Sequence, residues 1–367
     1  MNLAKINELK KWMDSLNIDL TYISDPHHIA YFSGYESDPH ERVLALFISK
    51  SGDPFLFTPA LEIEDAQNST WDFPVHGYLD SENPWEKIAA LIRQNGQPKK
   101  IATEKEFLSV ARFETLRTHF PDASMSVSVT PVIEKLQLIK TSEEIELLME
   151  AGNWADVALE IGFKAVSEGA AEQEIIAEIE YQLKRKGVRS MSFDTLVLTG
   201  KNAASPHGTP GGSTVQKGDF VLFDLGVVWK GYCSDVTRTI AYQEPTAFQE
   251  EIYSIVLQAQ LAAQQAVKPG ITAGELDQIA RSVIEKYGYG EYFNHRLGHG
   301  IGTTVHEYPS LVTGNDLVIE KGMCFSLEPG IYIPEKVGVR IEDCVYVTEN
   351  GCEAFTKTPK ELQIFGS

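Results

Sequence analysis

The sequence has no CxxC pair, no glycine-rich turn joining a strand to a helix, and no apolar run near the ~18 residues that cross a bilayer. Each absence excludes something. The four cysteines (Cys233, Cys324, Cys344, Cys352) are widely spaced, so neither a thiolate zinc site nor a disulfide frame is expected. Without the glycine-rich turn, a nucleotide-binding reading has little support. Positive charge is scarce too: 32 Lys and Arg against 52 Asp and Glu leave a formal charge of −20. Phosphate backbones and anionic bilayers attract basic surfaces, so the expectation is no nucleic acid and no membrane. The opening "MNLAKINELKKWMDSL" is charged and helical in pattern and lacks the apolar core of a secretory signal. A cytoplasmic protein is expected.

What is present is an ordinary globular composition, 43% hydrophobic and 23% charged, spread over 367 residues. That length exceeds what one core usually serves, so two domains are expected, with boundaries at 1–128 and 129–367. The first reads as α/β. A helix over Ala4–Leu16 precedes the strand "DLTYIS". The apolar runs "RVLALFIS" and "PFLFTP" follow, split by "KSGD", and then helices near Pro84–Asn95 and Ser109–Phe120 flank the strand "KIATE". In the second, Thr141 with Glu144 makes a capping box ahead of a long apolar stripe, and Thr272 with Glu275 makes another. Two further helices are expected over 171–186 and 247–267. Strands are expected at 195–198, 220–228, 235–241, 323–333 and 338–347.

The acids stand where acids are expensive. In "FVLFDLGVVWKGYCSDVTRT" Asp224 interrupts an apolar strand, and a lone buried charge costs several kcal/mol. The run folds back as a hairpin. A turn at Trp229–Lys230 puts Asp224 opposite Asp235. A turn at Lys230–Gly231 puts Asp224 opposite Thr237, with Asp235 one diagonal away. Either register leaves both aspartates on one sheet face, within ~8 Å. "SLEPGIYIPEKVGVRIEDCVYV" repeats the device: Glu328 and Glu342 are symmetric about Glu335 and should face one another, with Arg340 on the face of Glu342. Four clustered carboxylates repel, and bound cations stabilise such a cluster at neutral pH. Between the two hairpins lies "HRLGHGIGTTVHEYP", with His295, His299 and His306 among glycines. Four carboxylates and an imidazole suit two divalent ions, Mn²⁺ first, with Co²⁺ and Zn²⁺ as rivals. The tyrosines near these residues, Tyr308 and Tyr332, are expected to pack.

With "VLFDLGVVWKGYCSDVTRT", "HRLGHGIGTTVHE", "SLEPGIYIP" and "VRIEDCVYV" on the page, the chain resembles the creatinase/aminopeptidase P/prolidase family of metallopeptidases over essentially its whole length. The nearest branch is the bacterial Xaa-Pro dipeptidases. The resemblance implies an α/β N-terminal domain and an α+β pita-bread catalytic domain. It implies metal ligands at Asp224, Asp235, His299, Glu328 and Glu342, with Asp235 and Glu342 bridging two ions and a hydroxide between them. Glu328 would shuttle the proton, His306 would support the tetrahedral intermediate, and His207 in "SPHGTP" would line the pocket. His295 and Arg340 match substrate-contact or supporting positions, and Arg296 would meet the substrate's C-terminal carboxylate. In "GYESDPHERVLAL", the residues Asp38, His40, Glu41 and Arg42 would reach a partner's active site across a homodimer interface.

The resemblance carried by these residues implies a dinuclear metal-dependent hydrolase acting on Xaa-Pro dipeptides. Two rivals remain: an Xaa-Pro aminopeptidase taking longer peptides, and a non-catalytic pita-bread module that binds peptides. The first differs only in pocket closure. The second would be expected to lack ligands that are all present here.

Overall fold

The computed structural model describes residues 3–205 and 208–366. It divides into two compact units, Met1–Leu136 and Gln137–Ser367. The first runs α1 (Leu3–Leu16), β1 (Leu20–Ile23), α2 (Pro26–Ser33), β2 (Ala45–Ser49), β3 (Phe55–Pro59), α3 (Ile63–Gln67), β4 (Val75–Tyr78), α4 (Pro84–Gln94), β5 (Lys100–Thr103), α5 (Val110–His119), β6 (Ser124–Ser128) and α6 (Thr130–Leu138). Its sheet has the order β4-β3-β2-β1-β5-β6. β2 is buried on both faces because its side chains alternate between two cores. Leu46 and Ile48 pack with Ile6, Leu9 and Phe32 from α1 and α2, whereas Ala45 and Phe47 pack with Ile88, Ile92 and Leu116 from α4 and α5. A strand covered on both sides has no polar positions to alternate, which is why it reads as a continuous apolar run.

This unit extends eight residues beyond the boundary at 128/129 expected from sequence. The physical reason is α6 and the residue before it: Ile133 and Val129 are fully buried in the first unit's core. The sequence reading also passed over α2, α3, α6, β4 and β6, all of them short.

The second unit runs α7 (Ser142–Ala165), α8 (Glu172–Arg185), β7 (Ser190–Met191), β8 (Leu196–Thr199), β9 (Phe220–Leu225), β10 (Val227–Trp229), β11 (Tyr232–Cys233), β12 (Val236–Tyr242), α9 (Ala247–Ala266), α10 (Ala273–Lys286), β13 (Gly298–Gly300), β14 (Glu307–Leu311), β15 (Cys324–Leu327), β16 (Gly330–Ile333), β17 (Val337–Arg340), β18 (Glu342–Val347), β19 (Cys352–Ala354) and β20 (Ile364–Phe365). Both expected capping boxes form, Thr141 with Glu144 on α7 and Thr272 with Glu275 on α10. The main sheet runs β14-β13-β15-β18-β12-β9-β8. On β9, Val221, Phe223 and Leu225 pack against α7 and α8. Period-two alternation therefore turns Leu222 and Asp224 to the opposite face. That face carries the site. Among the described residues no helix is long and apolar enough to cross a membrane.

Candidate metal centre

The turn at Lys230–Gly231 is the one adopted. Trp229 pairs with Tyr232, and Lys230 and Gly231 take φ of 49° and 83°, as a two-residue hairpin turn requires. Asp224 then lies opposite Thr237, and Thr237 lies opposite Glu342 on the next strand. Asp235 is one diagonal from Asp224. The second pair of acids follows its expected symmetry. Leu327–Asp343, Gly330–Arg340 and Ile333–Val337 are paired about one centre, Glu335, which puts Glu328 across from Glu342. The strands expected to be continuous here are broken at Glu328–Pro329 and at Ile341. Pro329 has no N–H for the ladder, and on either side of it the pairing passes from the β15–β18 sheet to the separate β16–β17 ribbon.

His299 reaches the acids from β13, whose neighbours are very close. A Cβ on Gly298 would lie 2.0 Å from the Ser326 carbonyl, and one on Gly300 would lie 2.3 Å from that of Tyr308. Only glycine fits on either side of His299. Its Nδ1 is 3.1 Å from the Gly300 carbonyl. A carbonyl only accepts, so Nδ1 carries the proton and Nε2 presents a lone pair. That Nε2 lies 3.2 Å from Glu328 Oε1 and 3.5 Å from Asp235 Oδ2.

Donor atoms of Asp235, His299 and Glu342 all lie within 4.8 Å of one another. Three carboxylate oxygens in the cluster are buried with no hydrogen-bond partner among the described residues: Asp224 Oδ1, Asp235 Oδ1 and Glu342 Oε1. The oxygens that are bonded meet neutral or cationic donors. Thr237 donates to Glu342 Oε2 at 2.7 Å, Ser326 donates to Glu328 Oε1 at 3.1 Å, and Arg340 binds Asp224 Oδ2. Burial pushes the carboxyls of Asp235 and Glu342 well above their ordinary range, and neighbouring acids push them further. Burial also raises Asp224, with Arg340 opposing. Glu328 goes the other way: burial pushes it up, and positive charge nearby, from a protonated His299 and from His295 and Arg340, more than offsets that. With His299 neutral, a cation on its Nε2 lone pair would take the place of that proton. Orphaned anionic oxygens facing an imidazole lone pair are all acceptors. The residues fit divalent cations, which satisfy them together.

The cluster opens into a cavity of about 680 Å³ that His295, Arg296, His306 and Arg340 also line, with Phe193, Leu196 and Val305 as apolar wall. His306 stands edge-on to His299, ring centres 4.2 Å apart. Burial, then the neighbouring His299 and Arg296, hold its pKa down to about 4, so it is neutral at pH 7. Its loop is anchored by Glu307, which accepts from Thr303 N at 2.7 Å and pairs with the buried Lys140 at 2.7 Å. Among the described residues the Arg296 side chain has one weak tether, Ser310 Oγ at 3.3 Å.

The expectation that Tyr332 merely packs is wrong. Its hydroxyl accepts from Arg340 at 2.7 Å and lies 3.1 Å from His295 Nε2. Because His295 Nδ1 faces the Arg296 carbonyl at 2.7 Å, the tyrosine is the donor to Nε2. Thr237 and Ser326 were also missed. All three stand an even number of residues from a ligand, which was the available signal. Asp38 and His40 are exposed on a loop of the first unit and touch one another, with Asp38 accepting from His40 N at 3.1 Å. Glu41 is exposed, and Arg42 is engaged by Asp80 at 2.9 Å. His207 lies outside the described residues.

Comparison with known proteins agrees with this geometry. Residues 146–349 match the model of metallopeptidase family M24, and residues 5–139 match that of the creatinase/prolidase N-terminal domain. The chain is 55% identical over 366 residues to the Xaa-Pro dipeptidase of Lactobacillus helveticus, covering 99% of each. It is 51% identical to that of Lactobacillus delbrueckii subsp. lactis, again over 99% of each. A solved Xaa-Pro dipeptidase from Bacillus anthracis superposes with a TM-score of 0.92 at 36% identity, covering 100% of both chains.

Proposed function

The chain belongs to metallopeptidase family M24 and is a metal-dependent hydrolase, and we propose that its substrates are dipeptides ending in proline. The observation that carries this reading is one cavity gathering Asp224, Asp235, His299, Glu328 and Glu342 with Arg296 and His306. The full-length similarity to Xaa-Pro dipeptidases supports it. Proline explains the need for a dedicated enzyme: its nitrogen has no N–H and its ring fixes φ, so clefts that read that N–H handle it badly.

Two divalent ions would be held here by Asp224, Asp235, His299, Glu328 and Glu342. Mn²⁺ is the first candidate, because hard oxygens outnumber nitrogen. When bound, the ions supply Lewis acidity, lowering the pKa of water and polarising the carbonyl before proline. Glu328, held ionised below its ordinary range, takes the proton of the attacking water and delivers it to the proline nitrogen. Neutral His306 donates an N–H to the oxygen that becomes tetrahedral. Arg296 meets the substrate carboxylate. His295, fixed by Tyr332, and Arg340, fixed by Asp224, line the rest, and His207 completes the wall by family resemblance.

We assign a homodimer in which Asp38 and His40 close the partner's pocket, supported by their exposure and by their contacting, among the described residues, chiefly one another. The compartment we assign is the cytoplasm, which suits four cysteines that are all unpaired. The test is cleavage of Ala-Pro against Ala-Pro-Ala with Mn²⁺, Co²⁺ and Zn²⁺ in parallel. Preferred cleavage of Ala-Pro is expected. Preference for the tripeptide would make the chain an aminopeptidase, and no cleavage with less than one ion bound per chain would make it a binding module.

A further inference from the structure

Helix α10 contributes no side chain to the cavity lining, yet it carries a charged pair aimed at the backbone of the segment that does. Asp277 is fully buried. Arg281, one turn later, donates to its carboxylate through Nε at 3.2 Å and Nη2 at 3.0 Å. The same guanidinium donates to the Phe293 carbonyl at 2.7 Å and the His295 carbonyl at 2.9 Å, and lies 4.3 Å over the Phe293 ring. From the other side, Asp277 Oδ1 accepts the Leu297 N–H at 3.0 Å, and Oδ2 accepts that of Thr313 at 3.1 Å. The peptide of Leu297 then passes the connection on, its carbonyl accepting the Glu328 N–H at 2.8 Å.

Residues 293–297 are irregular; the Leu297 N–H is shared with the Leu311 carbonyl of β14 at 3.0 Å, while the carbonyls of Phe293 and His295 need partners from outside the ladder. Neutral donors and acceptors would meet that need. A buried charged pair is a costly way to do so, and what it adds is rigidity, because the planar guanidinium fixes several acceptors in one plane. The residue bracketed by these bonds is Arg296. Its backbone is pinned on either side, at His295 and Leu297, while among the described residues its own guanidinium has only the weak contact to Ser310. A long, loosely tethered arginine aims well only if its backbone is fixed.

We propose that Asp277 and Arg281 are positioning residues for substrate binding: they lock the backbone of Phe293–Leu297 so that Arg296 points at the substrate's carboxylate. The proposal rests on the substrate role given to Arg296 above. The pair touches neither substrate nor metal ligand side chains. Its loss should therefore appear in KM, with kcat and metal content preserved.

The test uses full-length, metal-loaded enzyme and Ala-Pro. Arg281→Met is expected to raise KM about tenfold or more, as loosened aim does, with kcat within about threefold and metal content unchanged. Arg281→Lys should recover part of the loss. It also carries the same criterion, with a smaller shift, if the methionine variant does not fold. Arg296→Met should raise KM on its own, and Arg281→Met combined with Arg296→Met should be no worse than Arg296→Met alone, because the first acts through the second. Arg281 variants that leave KM unchanged while Arg296→Met raises it overturn the clamp alone, as does multiplication of the two effects in the double variant. A fall in kcat or metal content at constant KM overturns it too. Arg296→Met without effect on KM removes the substrate role and the clamp with it.

Discussion

Thr237 stands between two acids, opposite Asp224 on one neighbouring strand and Glu342 on the other. Its hydroxyl donates to Glu342 Oε2 and accepts from Arg340 Nε at 3.1 Å, so it fixes one ligand directly and the partner of another through Arg340. Thr237→Val keeps the shape and removes both bonds. Metal affinity or kcat/KM should fall about 10–100-fold, the usual loss when an outer partner of a metal ligand goes, and Thr237→Ser should restore it. Titration with Mn²⁺ beside steady-state kinetics measures this, and a valine variant with unchanged affinity and rate would remove Thr237 from the site. The five side chains that meet at the cavity, Asp224, Asp235, His299, Glu328 and Glu342, stood out in the sequence because a carboxylate in an apolar strand, or a histidine between glycines, is conspicuous, and the family resemblance marked them as metal ligands. Thr237 and Tyr332 were not, since a hydroxyl in a β-strand is compositionally ordinary. What distinguishes them is their strand register against Asp224, Glu342 and Arg340, and for Thr237 that depended on which of two turns the hairpin took.

The helices were read closely because their signals are local. The capping boxes at Thr141 and Thr272 and the apolar periodicity that follows each fix a start within a residue or two. Strands depend on partners elsewhere in the chain, so three that read as continuous (220–228, 323–333 and 338–347) proved to be six, divided where the pairing partner changes. β13 is the strand on which the site's geometry depends most. It is only three residues long, and its glycines let β14 and β15 close around His299. Gly298→Ala would put a methyl 2.0 Å from the Ser326 carbonyl, and backbone has little room to give. The strand must move away from β15, carrying His299 with it. We expect a loss of about 3 kcal/mol, the upper end of overpacking, with metal binding weakened more than that of Gly212→Ala, where nothing lies within 4 Å of the added carbon. Denaturant unfolding and metal titration of the pair check this. Equal behaviour would mean that the close approach is dispensable.

A chain with a formal charge of −20 that also buries four carboxylates in one cavity works against its own folding unless cations are supplied. The sign of the pH dependence follows from this. Burial and mutual repulsion raise the carboxyls of Asp235 and Glu342 well above their ordinary values, so in metal-stripped protein the folded state holds protons that the unfolded state has released. Where the folded state binds more protons, stability falls as pH rises. The penalty is full above the folded pKa values and is relieved as pH drops toward the ordinary carboxylate range. The net charge alone would give a trend of the same sign, so the cluster must be isolated by difference. In chelator at about pH 8 a protein carrying Asp235→Asn and Glu342→Gln should be more stable than the unsubstituted chain, and the gap should close toward about pH 6, by up to ~1.4 kcal/mol per pH unit for each proton involved. Metal should reverse the order, stabilising the unsubstituted chain and leaving the substituted one nearly unchanged, because binding free energy is available only where the ligands are. Thermal unfolding in chelator and in Mn²⁺ at several pH values reads all of this. A gap that does not change with pH would place the charge elsewhere, and no gain from metal would leave the orphaned oxygens of Asp224, Asp235 and Glu342 without the cations their geometry demands.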